Sequence, residues 1–233
     1  MSTTQPIQRQ HLRRLKEIYR SSGWPCRDGV EVELRVAGLI EAREDEVGRE
    51  TLRLTTVGLE ALAGYQASSR ASRSAHDALV EQVAQAMQRE GRVVWTGLPL
   101  RAQVDGEWVV AIPDVFSIRH TTVESYLQPV VHEIKVSRAD LLCDLKRPEK
   151  RGAYLGMAQQ VYYVLGLNAK GQPIAEPEEI PAECGVMVAT ATSVEVARMA
   201  PAQPFGGMRF DTWMALAKAS PLARGEEASQ LAL

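Results

Sequence analysis

The chain has 233 residues, 45% hydrophobic and 24% charged, enough for one large or two small domains of ordinary globular composition. Its formal net charge of -2 and pI near 6.1 exclude a molecule that holds nucleic acid by bulk charge, so any such contact needs a local basic patch. Three widely spaced cysteines, no membrane-length apolar run and no signal-peptide pattern give the expectation of reduced thiols in a cytoplasmic protein that does not engage a membrane.

From Gln8 to Tyr19, Leu12, Leu15, Ile18 and Tyr19 recur at helical spacing, and Gly23, Trp24 and Pro25 stop the helix. A second helix is expected from Gly29 to Ala37 with Val32 and Val36 inward, ended by Gly38. LIEAREDEVGRETLRLT then reads as a hairpin turning at Val47-Gly48, and TVGLEALAGY as a helix closing a small core with Leu59 and Leu62. Helix, helix, hairpin, helix over residues 1–68, ending in LRLTTVGLEAL, resembles a winged-helix module. Glu31, Glu33, Glu41, Glu44, Asp45 and Glu46 make that segment acidic, so a protein-contacting or dimerising role stands beside a DNA-binding one.

QASSRASRS, Gln66 to Ser74, has no apolar periodicity and reads as a flexible linker to a second domain over residues 74–221. Ser74 is the expected cap of a helix to about Glu90 with His76, Leu79, Val80, Val83, Ala84 and Met87 on its inner face and Asp77 and Glu81 on the flank. RVVWTGLPLRA is read as a strand interrupted at Gly97, with a turn at Asp105-Gly106.

Two β-branched runs follow, Trp108 to Ile118 and Val130 to Val136, and each carries a carboxylate at an otherwise apolar place: Asp114 and Glu133. With a strand period of two, Glu133 and Lys135 share a face. Carboxylates on adjacent strands repel unless a cation neutralises them, and Mg²⁺ or Mn²⁺ held by Asp114, Glu133 and the Ile134 carbonyl would do so. Lys135 would then orient or help deprotonate an attacking water and stabilise charge on a phosphoryl group, so the implied reaction is phosphodiester hydrolysis. The plainer alternatives are a solvent-facing Glu133–Lys135 ion pair and a turn role for Asp114 after Pro113.

Ser137 is the expected cap of the next helix, with Asp140 three residues on. Lys146, Arg147, Lys150 and Arg151 are read either as a solvated face or as a rim gripping DNA phosphates. A helix is expected from about Lys150 to Leu165, burying Tyr154, Ala158, Val161 and Leu165 and carrying Gln159 and Tyr163 on another side, where Gln159 could reach the water or the phosphate. Two strands, GVMVAT and VEVARMA, and a helix from Asp211 to Ala219 presenting Trp213, Leu216 and Ala217 complete a mixed α/β sheet flanked by helices.

Pro113-Asp114 with Glu133-Ile134-Lys135 resembles the PD-(D/E)xK pattern of the restriction-endonuclease-like nuclease superfamily. Gln159 and Tyr163 match the Gln-x-x-x-Tyr element of RecB-type members, and EIKVSRADLLCDLKRPEKRGAY is similar to a block of MmcB-like DNA-repair proteins. The resemblance implies a restriction-endonuclease-like core, a Mg²⁺- or Mn²⁺-dependent deoxyribonuclease, and Asp114, Glu133, Lys135 and Gln159 as catalytic residues. It further implies that the first helix lends the metal site Asp77, Glu81 or His76. DNA is the implied partner, with a homodimer or a protein bound through the N-terminal module as further expectations. The alternatives are a non-catalytic DNA-binding or regulatory protein that kept the nuclease fold, and a winged-helix transcriptional regulator.

Overall fold

The computed structural model describes residues 7–21, 23–44 and 46–223, and it divides into two units, Met1–Arg73 and Ser74–Leu233. In the first unit, α1 (Arg9–Arg20) and α2 (Gly29–Val36) precede an antiparallel hairpin of β1 (Ile40–Glu44) and β2 (Glu50–Leu54) and the start of α3 (Thr56–Arg89). Leu15, Ile18, Leu34, Leu39, Ile40 and Leu52 form its core. Val32 and Val36 face solvent and Leu34 points inward, the reverse of the expected register of α2; Leu59 is exposed while Leu62 is buried.

Glu31 is an internal group of this unit and not part of an acidic surface. Its carboxylate accepts hydrogen bonds from the Cys26 amide (2.6 Å), the Arg27 amide (2.8 Å) and Arg14 (2.5 Å). Gly58 lets α3 approach β1, because a Cβ there would stand 2.0 Å from the Leu39 carbonyl oxygen.

Residues 66–74 are not a linker: they lie inside the 34-residue helix α3, so Ser74 caps nothing. Ala, Ser and Arg fit an exposed helix even without an apolar stripe, which is why composition misled.

In the second unit a six-stranded sheet has the order β10-β9-β8-β7-β6-β3. Its strands are β3 (Arg92–Thr96), β6 (Val115–Arg119), β7 (Val130–Lys135), β8 (Gln160–Leu165), β9 (Gly185–Ala189) and β10 (Val194–Arg198). β7, β8 and β9 run parallel, and the other pairings are antiparallel. One sheet face packs Val94, Val115, Ile134 and Val164 against Leu79, Val83, Ala84 and Met87 of α3. The other packs Phe116, Val131, Tyr163 and Leu165 with Leu141 of α4 (Arg138–Leu145), Tyr154 of α5 (Pro148–Met157) and Leu216 of α6 (Phe210–Lys218). The architecture is a mixed α/β sheet with helices on both faces.

The expected strand from Trp108 to Ile118 is two strands. β5 (Glu107–Ala111) pairs with β4 (Leu100–Val104) in a separate hairpin, and β6 starts only after Pro113-Asp114. Asp105 and Gly106 both have positive φ, as a two-residue hairpin turn of this hand requires. The expected helix to Leu165 ends at Met157, and β8 takes over. In α6, Trp213 and Ala217 face outward while Thr212 and Leu216 are buried. Among the described residues no helix is long and apolar enough to cross a membrane.

Candidate active site

The site is built where β6 and β7 part. Their pairing reaches only Val115 with His132, so the amide of Ile134 has no β6 carbonyl to meet. The Asp114 carboxylate takes that place, accepting from the Ile134 amide at 2.7 Å. Asp114 is therefore fixed beside β7 by a strand-like hydrogen bond, one residue before its own strand begins.

On β7, strand alternation puts Glu133 and Lys135 on the face covered by α4 and α5, where both are at least 95% buried. A buried carboxylate needs partners, and Glu133 has three. One oxygen accepts from Lys135 Nζ (2.7 Å) and Lys150 Nζ (2.6 Å), and the other from the Tyr154 hydroxyl (2.8 Å). Ser137 accepts from the Asp140 amide at the start of α4, which sets Asp140 and Asp144 one turn apart. Lys135 Nζ lies 3.4 Å from Asp140 and 3.3 Å from Asp144. Asp144 also accepts from Lys150 (2.8 Å) and the Tyr163 hydroxyl (2.9 Å).

The electrostatics follow from this packing. Burial and the charge of Glu133 hold the Asp114 carboxyl above its ordinary range, against the opposing Ile134 amide, His76 and Lys135. Burial works against the Lys135 ammonium, but Glu133, Asp144 and Asp140 outweigh it and raise its pKa. Lys150 is raised in the same way by Glu133 and Asp144. Burial would lift Asp144, yet Lys150 and Lys135 bring it below the usual carboxylate range. Burial first, then the neighbouring acids, push the Tyr154 and Tyr163 phenols up, so both remain donors.

Glu133 and Lys135 thus share a face as strand alternation suggests, and Asp114, one residue before β6, is held beside their strand through the Ile134 amide. Of the first-helix residues, His76 is the one brought to them, its Nε2 3.4 Å from Asp114. Asp77 and Glu81 are exposed; Asp77 lies beside His76 (3.5 Å) and Glu81 accepts from Gln85 (3.1 Å), so neither joins the cluster. Ile134 meets Asp114 through its amide. Gln159 stands apart: it precedes β8, in which Gln160 is level with Val130 and Tyr163 with Glu133. About 3.3 Å per residue puts Gln159 more than 10 Å along the sheet from Glu133. The Gln-x-x-x-Tyr spacing is a strand start here, and Tyr163 alone reaches the site.

The expected basic rim divides. Lys150 turns inward to Glu133 and Asp144, and Arg151 donates to Glu183 at 2.8 Å. Lys146 and Arg147 are exposed and have no carboxylate partner among the described residues. Sequence reasoning missed Asp144 and Tyr154, and it misread Lys150. The four-residue spacings Asp140/Asp144 and Lys150/Tyr154, directly after Glu133-x-Lys135, are the signals that find them.

Among the described residues no group of three or more His, Cys, Asp or Glu side chains is arranged to hold a metal ion. No family model and no curated protein matches the chain. A solved protein of unknown function from Silicibacter pomeroyi is similar at 25% identity, over 54% of this chain and 70% of its own, with a TM-score of 0.37.

Proposed function

We propose that the second unit is a PD-(D/E)xK nuclease with a restriction-endonuclease-like core, hydrolysing phosphodiester bonds in DNA during repair or processing. The observation that carries this reading is the convergence of Asp114 on the Glu133-x-Lys135 strand, with the Lys135 ammonium 2.7 Å from Glu133. The mixed sheet with helices on both faces is the setting such a site needs.

The donor set fits a hard divalent cation in kind. Asp114 and Glu133 are carboxylates close enough for one to raise the pKa of the other, and Mg²⁺ is often held by one or two carboxylates with water and substrate phosphates. Asp114 and Glu133 would hold Mg²⁺ or Mn²⁺, with the Ile134 carbonyl as a backbone donor and His76 beside Asp114. When bound, the ion supplies positive charge for the phosphate oxygens and favours deprotonation of the attacking water.

The chain's own groups do the rest. The water oxygen bonds to phosphorus as its proton passes to solvent, the bond from phosphorus to the sugar oxygen breaks, and that oxygen takes a proton from solvent. Lys135 is held protonated, so it acts as a donor to charge growing on the phosphate and not as a base. Lys150 donates to both Glu133 and Asp144 (2.8 Å), so it would keep a carboxylate partner if Glu133 held the ion. Within the run from Lys146 to Arg151, Lys146 and Arg147 are the exposed cations free to meet DNA phosphates. The first unit is read as a winged-helix-like module contacting DNA, a protein or a second copy, supported by its helix, helix, hairpin, helix order.

The Lys150–Glu133 bond also favours a second reading, a DNA-binding protein in which the ammonium permanently replaces the ion. Incubation with labelled single-stranded, duplex and branched DNA in Mg²⁺, Mn²⁺ or chelator separates the two. The nuclease reading predicts metal-dependent cleavage lost in Asp114→Asn; cleavage unchanged in that variant would reject it, and binding without cleavage would support the second reading.

A further inference from the structure

The β4–β5 hairpin turns Leu100, Ala102 and Ala111 inward and leaves Arg101, Gln103, Trp108 and Val110 exposed. Arg101 pairs with Val110 and Gln103 with Trp108, so these four share the outer face and Arg101 is diagonal to Trp108. The Arg101 guanidinium lies 5.4 Å from the Trp108 ring centroid, and that of Arg209, just before α6, lies 4.6 Å from it. Trp108 is nevertheless 47% exposed. Beside it a cleft of about 580 Å³ is lined by Leu98, Pro99, Arg101, Phe210, Met214 and Lys218, among others, and Phe210 at its edge is 79% exposed.

Single exposed apolar residues are ordinary on a protein surface and need no explanation. Here Arg101 borders both the Trp108 ring and the cleft that Phe210 and Lys218 line, and Arg209 adds a third cation over Trp108. Arg209 is balanced by Asp211 at 3.1 Å, whereas Arg101 and Lys218 have no carboxylate partner among the described residues. The patch is locally positive on a chain whose net charge is -2. A ligand that fits must be flat and apolar in part and anionic in part, which describes the bases and phosphates of an unpaired strand better than it describes a protein surface.

We propose that this face binds single-stranded nucleic acid, with bases stacking on Trp108 and Phe210 and phosphates meeting Arg101 and Lys218. The guanidinium of Arg101 moves from the ring to a phosphate when a base takes its place. This deepens the nuclease reading and rests on it for the direction of the strand. The hairpin leads into the acidic centre, since the Tyr154 hydroxyl that donates to Glu133 (2.8 Å) also lies 3.2 Å from the Ile112 carbonyl oxygen just after β5. Trp108 is six residues before Asp114, a reach of at most about 20 Å.

The test is fluorescence anisotropy of a labelled oligothymidylate with the full chain in Ca²⁺, across a salt series. Trp108→Ala should weaken binding about tenfold, the scale of one lost base stack, while Trp108→Phe should retain most of it. The exposed-surface double variant Arg101→Gln/Lys218→Gln should reduce the slope of log affinity against log salt by about 1.4, from two lost phosphate contacts on a single strand. Equal affinity and slope in all variants overturn the proposal, and so does a wild-type chain that binds no single strand. Concentration-dependent self-association abolished by Trp108→Ala, with oligonucleotide affinity unchanged, would assign the face to a second copy instead. Failure of the nuclease reading is seen separately: oligonucleotide binding lost in Trp108→Ala but no cleavage or Mn²⁺ binding at Asp114 leaves the hairpin assignment standing alone.

Discussion

The Lys150 ammonium lies 2.6 Å from the Glu133 carboxylate, reaching from the first turn of α5 to the middle of β7. A buried acid on a strand is thereby neutralised by a side chain from the next layer, and Asp144 shares the same ammonium at 2.8 Å. Without Lys150, Glu133 and Asp144 would share the Lys135 ammonium and the buried cluster would be one positive charge short.

Lys150→Met should therefore destabilise the second unit, by about 1–3 kcal/mol given that Lys150 is partly solvated. Because the lost charge sits on Glu133, millimolar Mn²⁺ should restore more of the melting temperature in the variant than it adds to wild type. Thermal denaturation with and without Mn²⁺ measures both. Equal metal-induced shifts in the two proteins would separate Lys150 from the ion site.

Asp114→Asn should have the opposite effect on stability. The folded Asp114 pKa is raised above its unfolded value, so its contribution is fully present below about pH 3.8 and is lost as pH rises through the folded value. At neutral pH the carboxylate is a burden that Asn removes while still accepting from the Ile134 amide. A gain of about 0.5–2 kcal/mol in urea unfolding at pH 7, shrinking toward pH 3, is expected together with lost cleavage. A variant less stable than wild type at pH 7 would contradict the assigned repulsion.

The sheet carries a second pH-dependent group on its other face. His132 is fully buried, stacked on Tyr162 at 5.7 Å, and burial followed by the nearby Arg92 charge lowers its pKa to about 3. The unfolded chain takes up the proton near pH 6.5, so stability is present above that pH and falls as pH drops toward 3. Between pH 7 and 5 this amounts to about 2 kcal/mol. Urea unfolding of wild type and His132→Leu at the two pH values should show the fall in the first and a smaller one in the second; parallel losses would assign the acid sensitivity elsewhere.

Lys135 gives a kinetic expectation. Its pKa is raised, against burial, by Glu133, Asp144 and Asp140, so it stays charged through the working range. The pH profile of single-turnover cleavage should have no alkaline fall attributable to it below about pH 10, and Lys135→Met should lower the rate about a hundredfold or more. A profile that rises as one lysine deprotonates would make Lys135 a base and contradict this role.

Strand alternation made the shared face of Glu133 and Lys135 legible in the sequence. The break at Pro113-Asp114 was not, because the β-branched residues on both sides of it read as one strand. Nor were the parts of the site carried by the next layer. Lys146, Arg147, Lys150 and Arg151 look alike as a charge run, and only packing against β7 turns Lys150 inward while Lys146 and Arg147 stay in solvent. Tyr154, Ala158, Val161 and Leu165 fit a helical stripe, yet the β-branched and aromatic run from Val161 to Val164 forms a strand buried on both faces, as central parallel strands are. That misreading carried Gln159 into the site and obscured the Tyr163–Asp144 hydrogen bond.

The central claim is that Asp114 and Glu133 jointly hold a divalent ion. Calorimetric titration of the full chain with Mn²⁺ tests it most directly, beside Asp114→Ala and Glu133→Gln, with circular dichroism confirming that each variant is folded. One Mn²⁺ site in wild type, lost or weakened at least tenfold in both variants, is the predicted result. No binding by wild type, or equal binding by a folded Asp114→Ala or Glu133→Gln chain, would contradict it.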